Sequence, residues 1–196
     1  MTKRERCLRC KRPLRVCYCH TIKQVDNLWP VHILQHPLEA KHAVGTAAIA
    51  ALSLNNCRLQ RGEHFTLSEI GLNEQQCVLI YPGEDAGSLK VLQNELPKSL
   101  IFLDASWRKS HRMLMESPEL QELPKIALQP EQASRYRIRK SKYAESLSTL
   151  EAITHALSYL ESDDKKYKSL LSSMDWMIEK QISLMGEKVF KQNYCR

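Results

Sequence analysis

Leu100-Ile101-Phe102-Leu103-Asp104-Ala105-Ser106-Trp107 sets four consecutive apolar residues against an aspartate, a short Ala-Ser step and a tryptophan. Pro97 precedes the run, and residues 108–115 read as a helix beyond it. An apolar run this short, between a proline and a helix, predicts a strand buried on both faces of a parallel sheet. Ligands of open α/β sheets bind just beyond the carboxyl ends of the strands, so Asp104, Ser106 and Trp107 stand where chemistry is done. The same residues also fit a purely structural part, with Asp104 and Ser106 capping the helix and Trp107 in the core.

Other runs repeat the pattern. Residues 31–35 alternate as a first strand would, and His36-Pro37-Leu38-Glu39 leads into an expected helix over 39–54, rich in alanine and suited to close packing on a sheet. His36, Glu39, Lys41 and His42 lie at that junction, where a site role competes with a structural one. Residues 57–59 form a candidate second strand, and 65–74 a polar connection. Residues 77–81 are another compact apolar run, closed by the turn-forming Pro82-Gly83-Glu84-Asp85-Ala86-Gly87-Ser88. Those glycines do not fit a phosphate-binding loop, although bare backbone with carboxylates can cradle an adenosine. A short helix over 89–96 and a strand over 126–128 follow.

Ser148 and Glu151 have the spacing of a capping box at the start of a helix whose stripe is Leu150, Ile153, Leu157 and Leu160. A capped helix start also offers amide donors to a ligand carboxylate. A long helix over 167–191 turns Leu170, Leu171, Met174, Met177, Ile178 and Ile182 inward. Strands alternating with helices predict an α/β fold with a mainly parallel sheet and helices on both faces.

The chain has 196 residues and a net charge of +7. Its basic residues are clustered: Lys3, Arg4, Arg6, Arg9, Lys11, Arg12 and Arg15 at the start, then Arg135, Arg137, Arg139, Lys140 and Lys142 with Tyr136 and Tyr143 interleaved. Clusters so poor in acidic residues suit the phosphates and stacked bases of a nucleic acid. The first twenty residues lack the apolar core of a signal peptide, and no stretch is long and apolar enough to span a membrane, which leads us to expect a cytoplasmic protein.

Four of the seven cysteines, Cys7, Cys10, Cys17 and Cys19, fall within one short segment. In a reducing compartment this spacing predicts a closed structural zinc site, His20 being an alternative to Cys19. Zinc would replace the core that so short a segment cannot build. We therefore expect a zinc-binding segment over 1–24 and one α/β domain over 25–196.

Taken together, the four cysteines, HPLE at His36, LIYPG at Leu79, LIFLDASW, YRIRKS at Tyr136 and SLSTLEA at Ser146 resemble the DTW-domain family along nearly the whole chain. The family pattern Asp-x-Thr-Trp is altered here, with Ser106 in the threonine position and a hydroxyl retained. The resemblance implies a tRNA-uridine aminocarboxypropyltransferase with a SPOUT-like, knotted fold, using S-adenosylmethionine as co-substrate and tRNA as acceptor. It implies Asp104 as the base or the group orienting uridine N3–H, with Ser106 and Trp107 beside it. Leu79, Tyr81, Pro82, Gly83, Leu103, Ser148 and Thr149 would form the cofactor pocket. Arg135, Tyr136, Arg137, Arg139 and Lys140, with Arg12 and Arg15, would hold the RNA. A SPOUT-like RNA methyltransferase and a non-catalytic zinc-bearing RNA-binding protein are the competing expectations, and both monomer and homodimer fit.

Overall fold

The computed structural model of the chain describes residues 5–42, 44–129, 134–136, 138 and 147–194. Five strands, β1 (Val31–Gln35), β2 (Cys57–Arg61), β3 (Cys77–Ile80), β4 (Ser99–Asp104) and β5 (Lys125–Ile126), form one sheet in the order β2-β1-β4-β3-β5. Every neighbouring pair is parallel. The helices are α1 (Ala47–Ser53), α2 (Leu67–Ile70), α3 (Trp107–Met115), α4 (Pro118–Gln121), α5 (Thr149–Leu160), α6 (Lys168–Met185) and α7 (Glu187–Tyr194).

The apolar runs account for the centre of the sheet, because a strand covered on both faces can leave neither set of alternating side chains in water. Every residue of β1 and β3 is buried, as is all of β4 except the half-buried Leu103. Ile33, Val78, Ile80, Leu100 and Phe102 pack with α1, α5 and α6 on one face. Leu34, Leu79 and Ile101 pack with α2, α3 and α4 on the other. The expected inward stripe of α6 is present, with Leu170, Met174, Met177 and Ile178 buried. Among the described residues, no helix is long and apolar enough to cross a membrane.

Several expected elements are shorter or divided. The helix over 39–54 is a 3-10 turn, Glu39–Lys41, followed after a break by α1. The break is tied to three distant parts of the chain: Arg12 Nη2 donates to the Gly45 carbonyl at 3.1 Å, the Tyr136 hydroxyl donates to the Val44 carbonyl, and Leu150 N donates to Thr46 Oγ1 at 3.4 Å. Carbonyls engaged this way are directed out of a helical ladder. The connection over 65–74 contains α2, capped by a reciprocal Thr66–Glu69 box and stopped by Gly71 at φ 73°, a left-handed conformation that favours glycine.

The helix over 89–96 reduces to the 3-10 turn Leu89–Leu92, and the strand over 126–128 to β5. α4 begins with Pro118 in its first turn, where the missing N–H has no partner to lose. The helix over 167–191 is broken at Gly186, whose φ of 85° cannot continue α6 into α7. The box at Ser148 and Glu151 forms as expected, each side chain accepting from the other residue's amide.

Ile101 lies at the middle of β4, fully buried and paired to both neighbouring strands. Ile101→Ala is expected to cost about 2–5 kcal/mol by chemical denaturation, since the rigid sheet around it cannot collapse into the space.

Candidate active site and metal centre

β1 and β4 run side by side with Gln35 opposite Asp104, which brings two polar residues together at the carboxyl end of the pair. Asp104 is only 8% exposed. Gln35 Nε2 donates to Asp104 Oδ2 at 2.7 Å, and Thr149 Oγ1, from the first turn of α5, donates to Oδ1 at 2.5 Å. A buried carboxylate is strongly penalised unless donors replace its water, and here each oxygen has one. Arg61 Nε, at the end of β2, donates to Gln35 Oε1 at 3.2 Å. That bond fixes the orientation of the amide, so its NH2 faces the carboxylate. Gln35 and Arg61 escaped the sequence reading; their only signal was a polar ending on two strands, which looks the same when it simply meets solvent.

Asp104 therefore does not cap α3. Ser106 occupies the cap position, exposed and without a side-chain cap bond. Trp107 is not core either. It is 47% exposed and meets the Tyr81 ring edge-on at 6.0 Å between centroids. A large aromatic with nearly half its surface in water, three residues beyond a buried carboxylate, is a candidate surface for a planar ligand. His36 has a local part: its Nδ1 accepts from Leu38 N at 3.1 Å, and Nε2 lies 3.8 Å from Glu63. Lys109 Nζ bonds Glu39 Oε1 at 3.1 Å and so ties α3 to the turn after β1.

The other expected pocket residues differ in what they can offer. Leu79 is fully buried within β3 and belongs to the core on the α2–α4 face of the sheet. Tyr81 and Leu103 are half-buried, whereas Pro82 and Gly83 are exposed on the loop beyond β3. That loop is anchored where Gly87 N donates to the Lys125 carbonyl at 2.9 Å. Ser148 is buried, and its hydroxyl is committed to the α5 cap. Thr149 is the member of that pair whose side chain reaches the site.

Of the expected RNA-binding residues, Arg137, Arg139 and Lys140 lie outside the described residues. Arg135 Nη2 is paired with Asp175 Oδ2 at 2.6 Å, and the Tyr136 hydroxyl is held at Val44, so both serve internal ties. Arg12 lies 5.1 Å over the Tyr18 ring in addition to its bond to Gly45. Arg15 is exposed.

The four amino-terminal sulfurs lie within 4.8 Å of one another. Cys7 and Cys19 are 3.7 Å apart, as are Cys10 and Cys17. A tetrahedron with metal–sulfur bonds near 2.3 Å has edges of about 3.8 Å, so the cluster fits one closed tetrahedral metal site. Backbone donors at Cys10 and Arg9 lower the Cys7 thiol to about 6, while burial pushes Cys19 up. A bound cation would hold all four as thiolates. The loop between the first ligands closes on itself through Lys11 N to the Cys7 carbonyl at 2.9 Å and Cys7 N to the Arg12 carbonyl at 2.8 Å, with Lys11 at φ 59°. His20 is no part of the cluster; its exposed ring meets Trp176 of α6 edge-on at 4.5 Å.

A family model described as the DTW domain matches residues 4–182. The chain is 30% identical over 194 residues to "tRNA-uridine aminocarboxypropyltransferase 2" of Drosophila melanogaster, with 92% of this chain and 76% of that protein aligned. It is 29% identical over 182 residues to the mouse protein of the same description, covering 86% of this chain and 61% of the relative. An Arabidopsis thaliana protein, "tRNA-uridine aminocarboxypropyltransferase A", is 25% identical over 207 residues, 88% of this chain and 78% of its own length. No solved structure matches significantly.

The purified protein is expected to carry about one metal ion per chain by elemental analysis, and Cys10→Ser to carry markedly less, because three thiolates leave a tetrahedral site open. Stripping the metal should also change tryptophan fluorescence as His20 moves away from Trp176.

Proposed function

The chain belongs to the DTW domain family, and from that membership and the carboxylate at the mouth of the sheet we propose that it transfers the 3-amino-3-carboxypropyl group of S-adenosylmethionine to N3 of a tRNA uridine. The observation that carries this reading is the placement of Asp104: buried, held at both oxygens by Gln35 and Thr149, and three residues before Trp107, whose exposed ring meets Tyr81. Uridine N3 is a poor nucleophile until it loses its proton, and the sulfonium of the donor has three electrophilic carbons. An enzyme for this transfer must supply a base and bring the γ-carbon of the methionine moiety, not the methyl, in line with N3.

In this reading Asp104 takes the N3 proton on one of the several lone pairs of its carboxylate. N3 forms a bond to the γ-carbon, the bond from that carbon to sulfur breaks, and its electron pair stays on sulfur in the departing methylthioadenosine. Gln35 and Thr149 aim the carboxylate before the reaction, which lowers the reorganisation required. Trp107 and Tyr81 wall the uracil, with Ser106 at their edge. Tyr81, Pro82, Gly83, Leu103 and Thr149 line the donor's place, backed by Leu79 and by the helix start that Ser148 caps. Arg12 and Arg15, with Arg137, Arg139 and Lys140, supply positive charge for tRNA, while Arg135 and Tyr136 brace that cluster through Asp175 and Val44.

Zinc is the metal we assign to Cys7, Cys10, Cys17 and Cys19, since four thiolates in a closed tetrahedron suit it and leave no position for substrate. Residues 1–24 then position RNA on a catalytic domain over 25–196. A SPOUT-like knotted path belongs to the same proposal. The all-parallel sheet supports it, as does the return of the chain from edge strand β5 to a helix whose first residue reaches Asp104 at the sheet centre. A cytoplasmic enzyme acting where its tRNA substrate resides completes the picture.

The test uses S-adenosylmethionine labelled separately at its carboxyl and methyl carbons, with unmodified tRNA. Carboxyl label is expected in the RNA; methyl label alone would make the protein a methyltransferase, and neither label would leave an RNA-binding protein without catalysis. Asp104→Asn keeps the shape of the site, its oxygen facing Gln35 and its NH2 facing the Thr149 hydroxyl. We expect kcat to fall by about 10²–10⁴ with donor affinity near wild type. Loss of donor binding would instead make Asp104 a pocket-building residue.

A further inference from the structure

Positive charge with little acidic counterweight gathers in a groove of about 750 Å³ between the cysteine segment and the carboxyl end of the sheet. Arg6, Arg9, Lys11, Arg12 and Arg15 line it from the cysteine segment, Arg61 from the end of β2, and Gln181 from the carboxyl-terminal part of α6. Among the described residues one carboxylate, Glu39, enters the lining, and it is already paired with Lys109. Gln35 forms part of the floor, and the same side chain donates to Asp104.

We propose that this groove is the path of the acceptor RNA strand, with phosphates held by Arg9, Lys11, Arg15 and Arg61, and with Arg61 the innermost of them, next to the reacting base. The inference rests on the RNA-acceptor reading above and assigns the strand a place that reading leaves open. Charge selects the class of partner. So many cations with a single neutralised acid suit a polyanion whose bound counterions they displace, and each phosphate held adds affinity irrespective of sequence. Shape narrows it further, since the groove is far larger than one phosphate needs and is lined at one point by Gln35, the side chain that donates to the buried carboxylate.

Chemistry fixes the strandedness. N3–H is the donor a uridine uses in base pairing, so the reacting base must be unpaired, and a single strand laid along the groove can turn one base toward Trp107. Arg61 joins the two ends of this path. Its Nε holds Gln35, Gln35 holds Asp104, and its guanidinium faces the groove, so a phosphate seated there is registered to the carboxylate. The outer wall is the metal loop itself, fastened to the body by Arg12 at Gly45. In the second basic cluster, by contrast, the described Arg135 and Tyr136 are committed to Asp175 and Val44.

The experiment measures binding of an unmodified tRNA transcript to the full-length, metal-loaded protein by fluorescence anisotropy across a series of salt concentrations. Combined Arg9→Ala, Lys11→Ala and Arg15→Ala substitution is expected to weaken binding about 10- to 100-fold. The log–log salt slope should fall by about two, near 0.7 for each single-strand phosphate that no longer has its cation. The Kd for S-adenosylmethionine should not change. Gln181→Glu, on α6 and clear of the cysteine loop, should weaken tRNA binding several-fold with metal content intact. Arg61→Met should lower both tRNA affinity and kcat, whereas the outer substitutions raise KM alone. Unchanged affinity and slope in the triple variant, together with no effect of Gln181→Glu, would overturn the groove assignment while leaving aminocarboxypropyl transfer standing. Failure of the wild-type protein to bind tRNA would overturn both.

Discussion

The carboxylate of Asp104 ties three elements of the molecule together at one point: its own strand β4, the neighbouring β1 through Gln35, and α5 through Thr149. Hydrogen bonds to a charged group are worth about 1.5–3 kcal/mol each, and an uncompensated buried carboxylate costs more than either. The two donors thus replace the water that a buried carboxyl group loses. Arg61 extends the arrangement to β2. Four elements converge on one functional group, although nothing in the packing of the core beneath calls for polarity there.

The cysteine segment is integrated into this body and does not hang from it. Tyr18 is fully buried among residues of the main core, Ser173 of α6 donates to the Thr21 carbonyl at 2.9 Å, and Arg12 reaches the break before α1. That break, over Val44 to Thr46, also receives Tyr136 and the first turn of α5. A metal bound by the four thiolates would therefore fix more than its own loop. It would fix one wall of the basic groove and, through Gly45, the junction on which α5 rests. Glu151 adds a further tie, accepting from Ser134 Oγ at 2.8 Å and Arg135 N at 2.6 Å besides its part in the cap.

The legibility of the chain varied with how local each cause was. The four-cysteine spacing pointed to a metal-sized cluster because the ligands lie within one short loop, and the choice between Cys19 and His20 fell to Cys19 once His20 was seen against Trp176. The capping box at Ser148 was readable because its two partners are three residues apart. The continuous helix over 39–54 was a wrong expectation: alanine content favours a helix throughout, but hydrogen bonds from Arg12, Tyr136 and Leu150 draw residues 44–46 out of it. Trp107 was open between core and site, and its exposure beside Tyr81 decides for the surface.

What the sequence determined by itself is the set of buried strands, their alternation with helices, the metal-sized cysteine cluster and the identity of Asp104 as a polar residue at a strand end. Each follows from hydrophobic runs or from spacings of a few residues, and those act within a short length of chain. What tertiary structure decided is which strands neighbour which, and hence that Gln35, Asp104 and Thr149 share three oxygens and a nitrogen at bonding distance. Strand order and the meeting of the basic groove with Gln35 depend on packing between segments far apart in sequence. No local pattern encodes the partner of a side chain that lies 69 residues away, as Gln35 does from Asp104.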